Sequence, residues 1–121
     1  MARANWEYVR LDVLMPEHPK VSGLSDKAFR TYIELLCYCG RQRTDGLVDG
    51  RTWKRAGTQR ARGELLASGL VDPLLDADDG GSGVAVHDYL EHNRSRLQID
   101  ELSAKRAEAG RKGGSKTQAS A

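Results

Sequence analysis

Residues 51–71, RTWKRAGTQRARGELLASGLV, are basic in their first half and apolar in their second half. Five Lys or Arg fall among the first twelve residues of this segment. Gly57 interrupts the helical pattern, and Thr58 directly after it can cap a new helix. The segment therefore predicts two short helices, the second of which anchors its C-terminal half in a core. Their predicted bounds are residues 51–56, and residues 59–68 with Gly69 as the end.

Residues 25–40, SDKAFRTYIELLCYCG, predict the helix that supplies the centre of this core. Ser25 suits the N-cap position, and Gly40 suits the end of the helix. The apolar residues form two adjacent stripes at helical spacing. One stripe is Phe29, Ile33 and Leu36, and the other is Ala28, Tyr32, Leu35 and Cys39. Such a wide apolar face is typical of the central helix of a core.

The residues before this helix predict a strand and a loop. Residues 6–13, WEYVRLDV, alternate in polarity and carry aromatic and β-branched side chains, which is typical of a short strand. Trp6 and Tyr8 are expected to pack that strand onto a sheet. Pro16 and Pro19 predict an extended loop after it.

Turn and strand signals on both sides of residues 51–71 predict a small sheet. The turn TDG precedes Leu47 and Val48, which predict a short β-bridge. Residues 70–75 and 84–89 predict two strands, and the acidic, glycine-rich stretch DADDGGSG between them predicts a turn. The two strands form a β-hairpin directly after the helix pair.

The last part of the chain predicts a helix and then a tail. From Leu90 to Ala109 the pattern is helical, although large apolar residues are few. Residues 110–121, GRKGGSKTQASA, predict a flexible basic tail because they include three glycines and no large apolar residue.

The order of these elements is strand, helix, bridge, helix pair, hairpin and helix. It predicts an α+β fold, mainly α, of the winged helix-turn-helix type. In this type three helices form the core, and a small antiparallel sheet carries a hairpin called the wing. The predicted organisation is a winged helix-turn-helix domain over residues 1–90, a C-terminal helix over residues 91–109, and a flexible basic tail over residues 110–121.

Positive charge is concentrated in two segments, although the formal net charge of the chain is only +2. Residues 41–62 hold seven Lys or Arg and two Asp, and residues 93–121 hold seven Lys or Arg and three acidic residues. Two such segments favour a polyanionic partner. Taken alone, the charge fits an ordinary mixed-charge surface equally well.

Double-stranded DNA is the partner that the predicted fold favours, because the second helix of such a pair enters the major groove. Gln and Arg can form paired hydrogen bonds with adenine and guanine. The expected base-facing residues are Thr58, Gln59, Arg60 and Arg62. The expected phosphate contacts are Arg51, Lys54 and Arg55 on the preceding helix, and Arg111, Lys112 and Lys116 in the tail. Trp53 is expected in the core.

The acidic turn DADDGGSG favours a different partner, because its carboxylates repel phosphate. The alternative function is a protein–protein interaction module that binds a host or replisome factor without contacting DNA. A homodimer through the helix after Leu90 is a further alternative.

The sequence gives little support for metal binding, catalysis or membrane contact. Cys37 and Cys39 point about 200° apart on a helix, so both are interpreted as packing residues in a reducing compartment. Together with His87 and His92 they fit no common zinc-ligand spacing. No nucleophile motif or phosphate loop is present, so we expect no enzyme activity, cofactor or metal. Without a long apolar run or a signal peptide, the chain is expected in the cytoplasm, with no membrane contact.

Several short motifs, spread over about residues 6–114, share their order with a known family. They are WEYVRLDVLMPEHPKVSGLSDKAFRTYIELLCYC, TDGLV, LLASGLVD, VAVHDYLEHNRSR and KRAEAGRKGG. In this order they resemble the N-terminal region of phage replisome-organiser and replication-initiation proteins, especially small helix-turn-helix proteins of actinobacterial phages and prophages. The resemblance implies a winged helix that binds DNA in a bacterial host cell, without catalysis, in replication initiation or transcriptional regulation.

Overall fold

The computed structural model describes residues 8–75, 80–93 and 95–119. The fold is α+β and mainly helical, with a small three-stranded antiparallel sheet, as the sequence predicts. The helices are α1 (Pro19–Ser22), preceded by a 3₁₀ turn (Met15–Glu17), α2 (Asp26–Gln42), α3 (Gly50–Arg55), α4 (Gln59–Ser68), α5 (Tyr89–His92) and α6 (Arg96–Ala119). The strands are β1 (Leu47–Val48), β2 (Val71–Pro73) and β3 (Val84–Val86).

The central helix α2 begins where the sequence predicts and ends later. The hydroxyl of Ser25 accepts a hydrogen bond from the backbone N–H of Ala28 at 3.2 Å, so Ser25 is the N-cap. The left-handed residue that ends α2 is Arg43, at φ 54°, and not Gly40. Gly40 instead allows close packing, because a β-carbon at this position would lie 2.7 Å from Cγ1 of Val9.

Helices α3 and α4 confirm the predicted helix pair. The carboxylate of Asp49 caps α3 by accepting a hydrogen bond from a backbone N–H of its first turn. Thr58 and Gly69 bound α4 as predicted. In the turn between the two helices, Gly57 passes so close to Thr31 of α2 that a side chain there would collide with it. The helix pair is therefore held against α2 at its turn.

The three strands form one antiparallel sheet in the order β1, β3, β2, which confirms the predicted bridge and hairpin. Val84 of β3 pairs with Val48 of β1 on one side and with Pro73 of β2 on the other. Pro73 is tolerated because β2 is an edge strand. Residues 76–79 of the hairpin turn lie outside the described residues.

The core lies between α2, the helix pair and the sheet. Trp53 of α3 is 1% exposed and Leu65 of α4 is 0% exposed, so each helix of the pair buries a large side chain. The predicted burial of Trp53 and the predicted apolar stripes of α2 are confirmed. The buried cluster comprises Val21, Tyr32, Leu35, Leu36, Cys39, Val48, Trp53, Leu65, Leu70, Val71, Val84, Val86 and Tyr89.

The predicted N-terminal strand is wrong over residues 8–12, which have no regular secondary structure. Tyr8 is 74% exposed rather than packed on a sheet, and Trp6 lies outside the described residues. The predicted loop is also wrong, because Pro16 lies in the 3₁₀ turn and Pro19 begins α1. Proline fixes φ near the helical value and needs no hydrogen-bond partner in a first turn, so both prolines favour the start of a helix.

The C-terminal helix differs from the prediction at both ends. A continuous helix from Leu90 was expected, whereas α5 ends at His92 and α6 begins only at Arg96. α6 then continues to Ala119, so the tail predicted over residues 110–121 is helical as far as it is described. Each residue added to an existing helix gains one backbone hydrogen bond, and this offsets the low helix propensity of the glycines in this segment.

The two cysteines are free thiols in different surroundings. Cys39 is buried, as its interpretation as a packing residue requires. Burial raises the pKa of its thiol, which keeps the sulfur protonated. Cys37 is exposed, so the same interpretation is wrong for that residue.

Candidate nucleic-acid interface

The outer side of α3 carries three exposed basic side chains. The buried indole of Trp53 fixes the rotation of this short helix. Since successive residues of a helix are about 100° apart, the residues two before, one after and two after the indole point away from the core. These residues are Arg51, Lys54 and Arg55, and all three are exposed.

The start of α4 adds two more exposed polar side chains. Ala61 and Leu65 are buried and turn one side of α4 towards the core. Gln59 and Arg60, in the first turn, are exposed. Together with the three residues of α3 they are exposed polar side chains of two consecutive helices, and we call this set the basic face: Arg51, Lys54, Arg55, Gln59 and Arg60.

The cations of the basic face form no short ion pair in the described part of the chain, although the charge of Arg60 acts on Glu64. None of its four cations forms a hydrogen bond or an ion pair with a described residue. Elsewhere, the side chain of Arg30 pairs with Glu34 at 2.9 Å, and that of Arg43 pairs with Asp100 at 3.5 Å. These exposed cations are therefore accessible to a polyanion.

Arg62 and Thr58 were also expected to face bases, but both side chains form hydrogen bonds with the backbone near the turn between α3 and α4. Nη1 of Arg62 donates a hydrogen bond to the carbonyl oxygen of Ala56 at 2.6 Å, and the residue is half-buried. The hydroxyl of Thr58 accepts a hydrogen bond from the N–H of Ala61 at 3.1 Å. Both side chains therefore stabilise the turn and the first turn of α4.

The other expected phosphate contacts belong to α6. Arg111 is exposed on this helix. Lys112 and Lys116 lie on the same helix, and their side chains are outside the described part of the chain. Near its start, α6 is tied to the turn before β1, because the N–H of Arg96 donates a hydrogen bond to Oδ1 of Asp45 at 2.6 Å. The three basic residues are thus carried by a helix and not by a flexible arm.

Gly63 leaves the exposed side of α4 without a side chain in its middle. A β-carbon at this position would meet nothing within 4 Å. Glycine costs about 1 kcal/mol relative to alanine inside a helix, so the fold alone does not favour it here. Gly63 lies about one helical turn after Gln59. A molecule that contacts the basic face can therefore come close to the backbone of α4 at Gly63. Sequence reasoning missed this residue, although an isolated glycine in a helical pattern is a recognised signal.

Glu64 ties α4 to the start of α2. Its Oε2 accepts a hydrogen bond from the hydroxyl of Ser25 at 2.6 Å, and its Oε1 accepts one from the N–H of Ser25 at 2.9 Å. These hydrogen bonds lower the pKa of Glu64, and the charge of Arg60 lowers it further. The contact fixes the basic face relative to the central helix. No local pattern in the sequence predicts a contact between residues 39 positions apart.

The described end of the hairpin packs on α3. A β-carbon on Gly80 would lie 2.8 Å from Cδ1 of Trp53, and one on Gly50 would collide with the carbonyl oxygen of Gly81. The acidic residues from which a protein-binding wing was predicted, within residues 76–79, lie outside the described residues. That alternative therefore stays a prediction.

His87 has two carboxylate neighbours at the end of β3. Its Nδ1 lies 2.9 Å from Oδ2 of Asp72, and its Nε2 lies 3.3 Å from Oδ1 of Asp88. Among the described residues, no three His, Cys, Asp or Glu side chains are grouped so that they could hold a metal ion. The helices of residues 8–75, 80–93 and 95–119 include none that is long and apolar enough to cross a membrane.

Comparison with known proteins identifies no relative of this chain. No family model matches it, and searches of curated proteins and of solved structures found no match. The function proposed below therefore rests on the fold, on the basic face and on the resemblance described above.

Proposed function

We propose that this protein is a winged helix-turn-helix protein that binds duplex DNA, with α4 as its recognition helix. The order α2, β1, α3, α4, β2, β3 supports the proposal, because it supplies three helices followed by a hairpin. The sheet supports it as well, since the hairpin strand β3 also pairs with β1, which precedes the helix pair. In this arrangement α3 and α4 are the helix-turn-helix pair.

The observation that carries the proposal is the basic face. Its four cations and one amide are exposed on two consecutive helices, and no described carboxylate pairs with the cations. Neutralising DNA phosphates with such cations releases counterions, which favours binding. Gln59 and Arg60 suit paired hydrogen bonds with adenine and guanine in the major groove. Arg51, Lys54 and Arg55 suit phosphate contacts beside it.

The proposed role is replication initiation or transcriptional regulation in a phage or prophage, in the cytoplasm of the bacterial host and without a catalytic step. This part of the proposal rests on the resemblance to phage replication-initiation proteins. The 24 residues of α6 make a helix about 36 Å long. Arg111, Lys112 and Lys116 on this helix extend the proposed contact with phosphates.

The proposal is tested by removing two cations of the basic face. We expect Lys54→Ala combined with Arg55→Ala to weaken binding to a random duplex. It should also reduce the slope of log affinity against log salt by about 2, because each lost phosphate contact removes about one released counterion. Fluorescence anisotropy of a labelled duplex at several salt concentrations measures both quantities.

The matched control is Lys27→Ala combined with Arg41→Ala, which removes the same charge from exposed positions of α2. This control should bind the duplex nearly as tightly as the unaltered protein. Equal losses in the two double variants would mean that net charge alone drives binding, and the basic face would not be the interface. No binding of the unaltered protein at low salt would exclude the proposed function.

A further inference from the structure

A cleft opens between the N-terminal segment and the central helix α2. Its volume is about 320 Å³, which lies in the range of roughly 300–1,000 Å³ typical of small-molecule sites. Its walls come from residues 10–21, from α2 and from the corner between β3 and α5. The residues that line it do not include those of the basic face, so it is a separate site.

Tyr32 of α2 contributes a phenol side chain to the lining of this cleft. The residue is only 8% exposed and lines the cleft. Its hydroxyl forms no hydrogen bond with any residue that the structure describes. Burial raises the pKa of Tyr32, and the nearby carboxylate of Asp88 raises it further, so the hydroxyl keeps its proton. A hydroxyl at the wall of an open cleft can donate a hydrogen bond to a ligand oxygen in place of water.

The walls of the cleft are held by their own hydrogen bonds. Asn93 is buried, and its Oδ1 accepts a hydrogen bond from the N–H of Arg10 at 2.6 Å. Further along the same segment, Oδ1 of Asp12 accepts one from the N–H of Leu14 at 2.8 Å. The hydrogen bond from Arg10 to Asn93 therefore ties one wall of the cleft to the residues after α5, and the bond within residues 12–14 shapes the turn that follows.

The residues that line the cleft favour an uncharged ligand. Leu14, Val21 and Leu36 belong to its apolar part. Apart from two histidines, its charged members are two cations and two carboxylates, Arg10, Lys20, Asp12 and Asp88. Because these charges balance, the cleft offers no net charge to attract an ion of either sign. Binding energy comes instead from apolar contact and from the Tyr32 hydroxyl.

We propose that this cleft binds a small uncharged molecule, mainly aromatic or aliphatic, whose carbonyl or hydroxyl oxygen accepts a hydrogen bond from Tyr32. The apolar part of the ligand lies against the leucine and valine side chains of the lining. The site does not depend on the proposed DNA contact, since it uses other residues.

The site is tested with benzamide, benzoate and benzylammonium, which share a ring and differ in charge. The full chain is titrated with each probe, and the backbone amide resonances are followed by NMR. We expect benzamide to shift resonances of lining residues such as Val21, Leu36 and Asn93. We also expect it to bind more tightly than either charged probe.

Two substitutions make the test specific. Tyr32→Phe should weaken benzamide binding about fivefold, which corresponds to one net hydrogen bond. The matched control is Tyr38→Phe, which should bind benzamide normally, since its hydroxyl donates to Asp49 at 3.3 Å and does not line the cleft. Leu14→Trp, at a position that is 63% exposed, fills the cleft without disturbing the core and should abolish the shifts.

The proposal is overturned if benzamide shifts no resonance of the lining, or if a charged probe binds more tightly. It is also overturned if Tyr32→Phe binds benzamide as well as the unaltered protein does. Shifts that persist in Leu14→Trp would place the binding elsewhere and would overturn it too.

Discussion

Arg60 and Arg62 stand two positions apart on α4, yet the structure gives them different surroundings. Arg60 is exposed and has no hydrogen bond or ion pair with a described residue. Arg62 is half-buried and donates to the carbonyl oxygen of Ala56 at 2.6 Å. Residues two apart on a helix point about 200° away from each other, so two like side chains can have unlike roles.

This difference predicts opposite effects for two similar substitutions. Arg60→Ala should weaken duplex binding and lower the stability by less than about 0.5 kcal/mol, because its interaction with Glu64 is that of an i, i+4 pair on a helix surface. Arg62→Ala should lower the free energy of unfolding by about 1 kcal/mol, because it removes the hydrogen bond to the turn. Thermal unfolding and anisotropy on both variants separate the two effects. A loss of affinity without a loss of stability in Arg62→Ala would show that the side chain faces DNA after all.

Gly63 lies on the exposed side of α4 with open space around it. Gly63→Leu should stabilise the protein by up to about 0.8 kcal/mol, because leucine is the better helix former. The same variant should bind duplex DNA less tightly, because its side chain prevents close approach to α4. Gly23→Leu serves as the control for added bulk at another open position, and its affinity should not change. Unchanged affinity in Gly63→Leu would mean that DNA does not approach this part of the helix.

Two carboxylates hold the helices α3 and α4 in place. Glu64 joins α4 to Ser25 at the start of α2, and Asp49 caps α3. The hydroxyl of Ser25 is the main cause of the lowered pKa of Glu64, and a hydrogen bond with Thr52 is the main cause of the lowered pKa of Asp49. A carboxyl whose pKa is lower in the folded state adds stability above its unfolded-state pKa and loses it as the pH falls through the folded-state pKa.

Acid should therefore destabilise the protein through these contacts. The loss begins below the ordinary carboxyl pKa values, 4.5 for Glu64 and 3.8 for Asp49. Glu64→Gln should reduce the dependence of thermal stability on pH in this range. Ser25→Ala should reduce it in part, because the backbone N–H of residue 25 still donates to Oε1 of Glu64. Adding Ser25→Ala to Glu64→Gln should not reduce it further, because the titrating carboxyl is already absent. A pH dependence in Glu64→Gln that equals that of the unaltered protein would argue against this role of the contact.

The elements of the fold that the sequence predicts correctly are those whose ends carry a local sequence signal. Thr58 and Gly69 mark the two ends of α4 in the sequence, and the structure keeps both ends. Gly40 looks like a helix end but is a packing residue, because Val9 approaches it from a distant part of the chain. The prolines of the N-terminal segment allow a helix as well as a loop, and residue type alone does not decide between them.

For the candidate site, the sequence predicts which side chains are exposed but not which of them form tertiary contacts. A helix with Trp53 inside places Lys54 and Arg55 outside, and that follows from periodicity alone. The contact of Arg62 with the turn and the link between Glu64 and Ser25 depend on tertiary packing, which the sequence does not display.

Binding of the full chain to duplex DNA at several salt concentrations tests whether the basic face is the interface. The Kd of the full chain for a labelled random duplex is determined by anisotropy over a range of salt concentrations. We predict a log–log slope between about −3 and −5, because three phosphate contacts from α3 and further ones from α6 release a similar number of counterions. A slope near zero, or no binding at low salt, would contradict this role of the basic face.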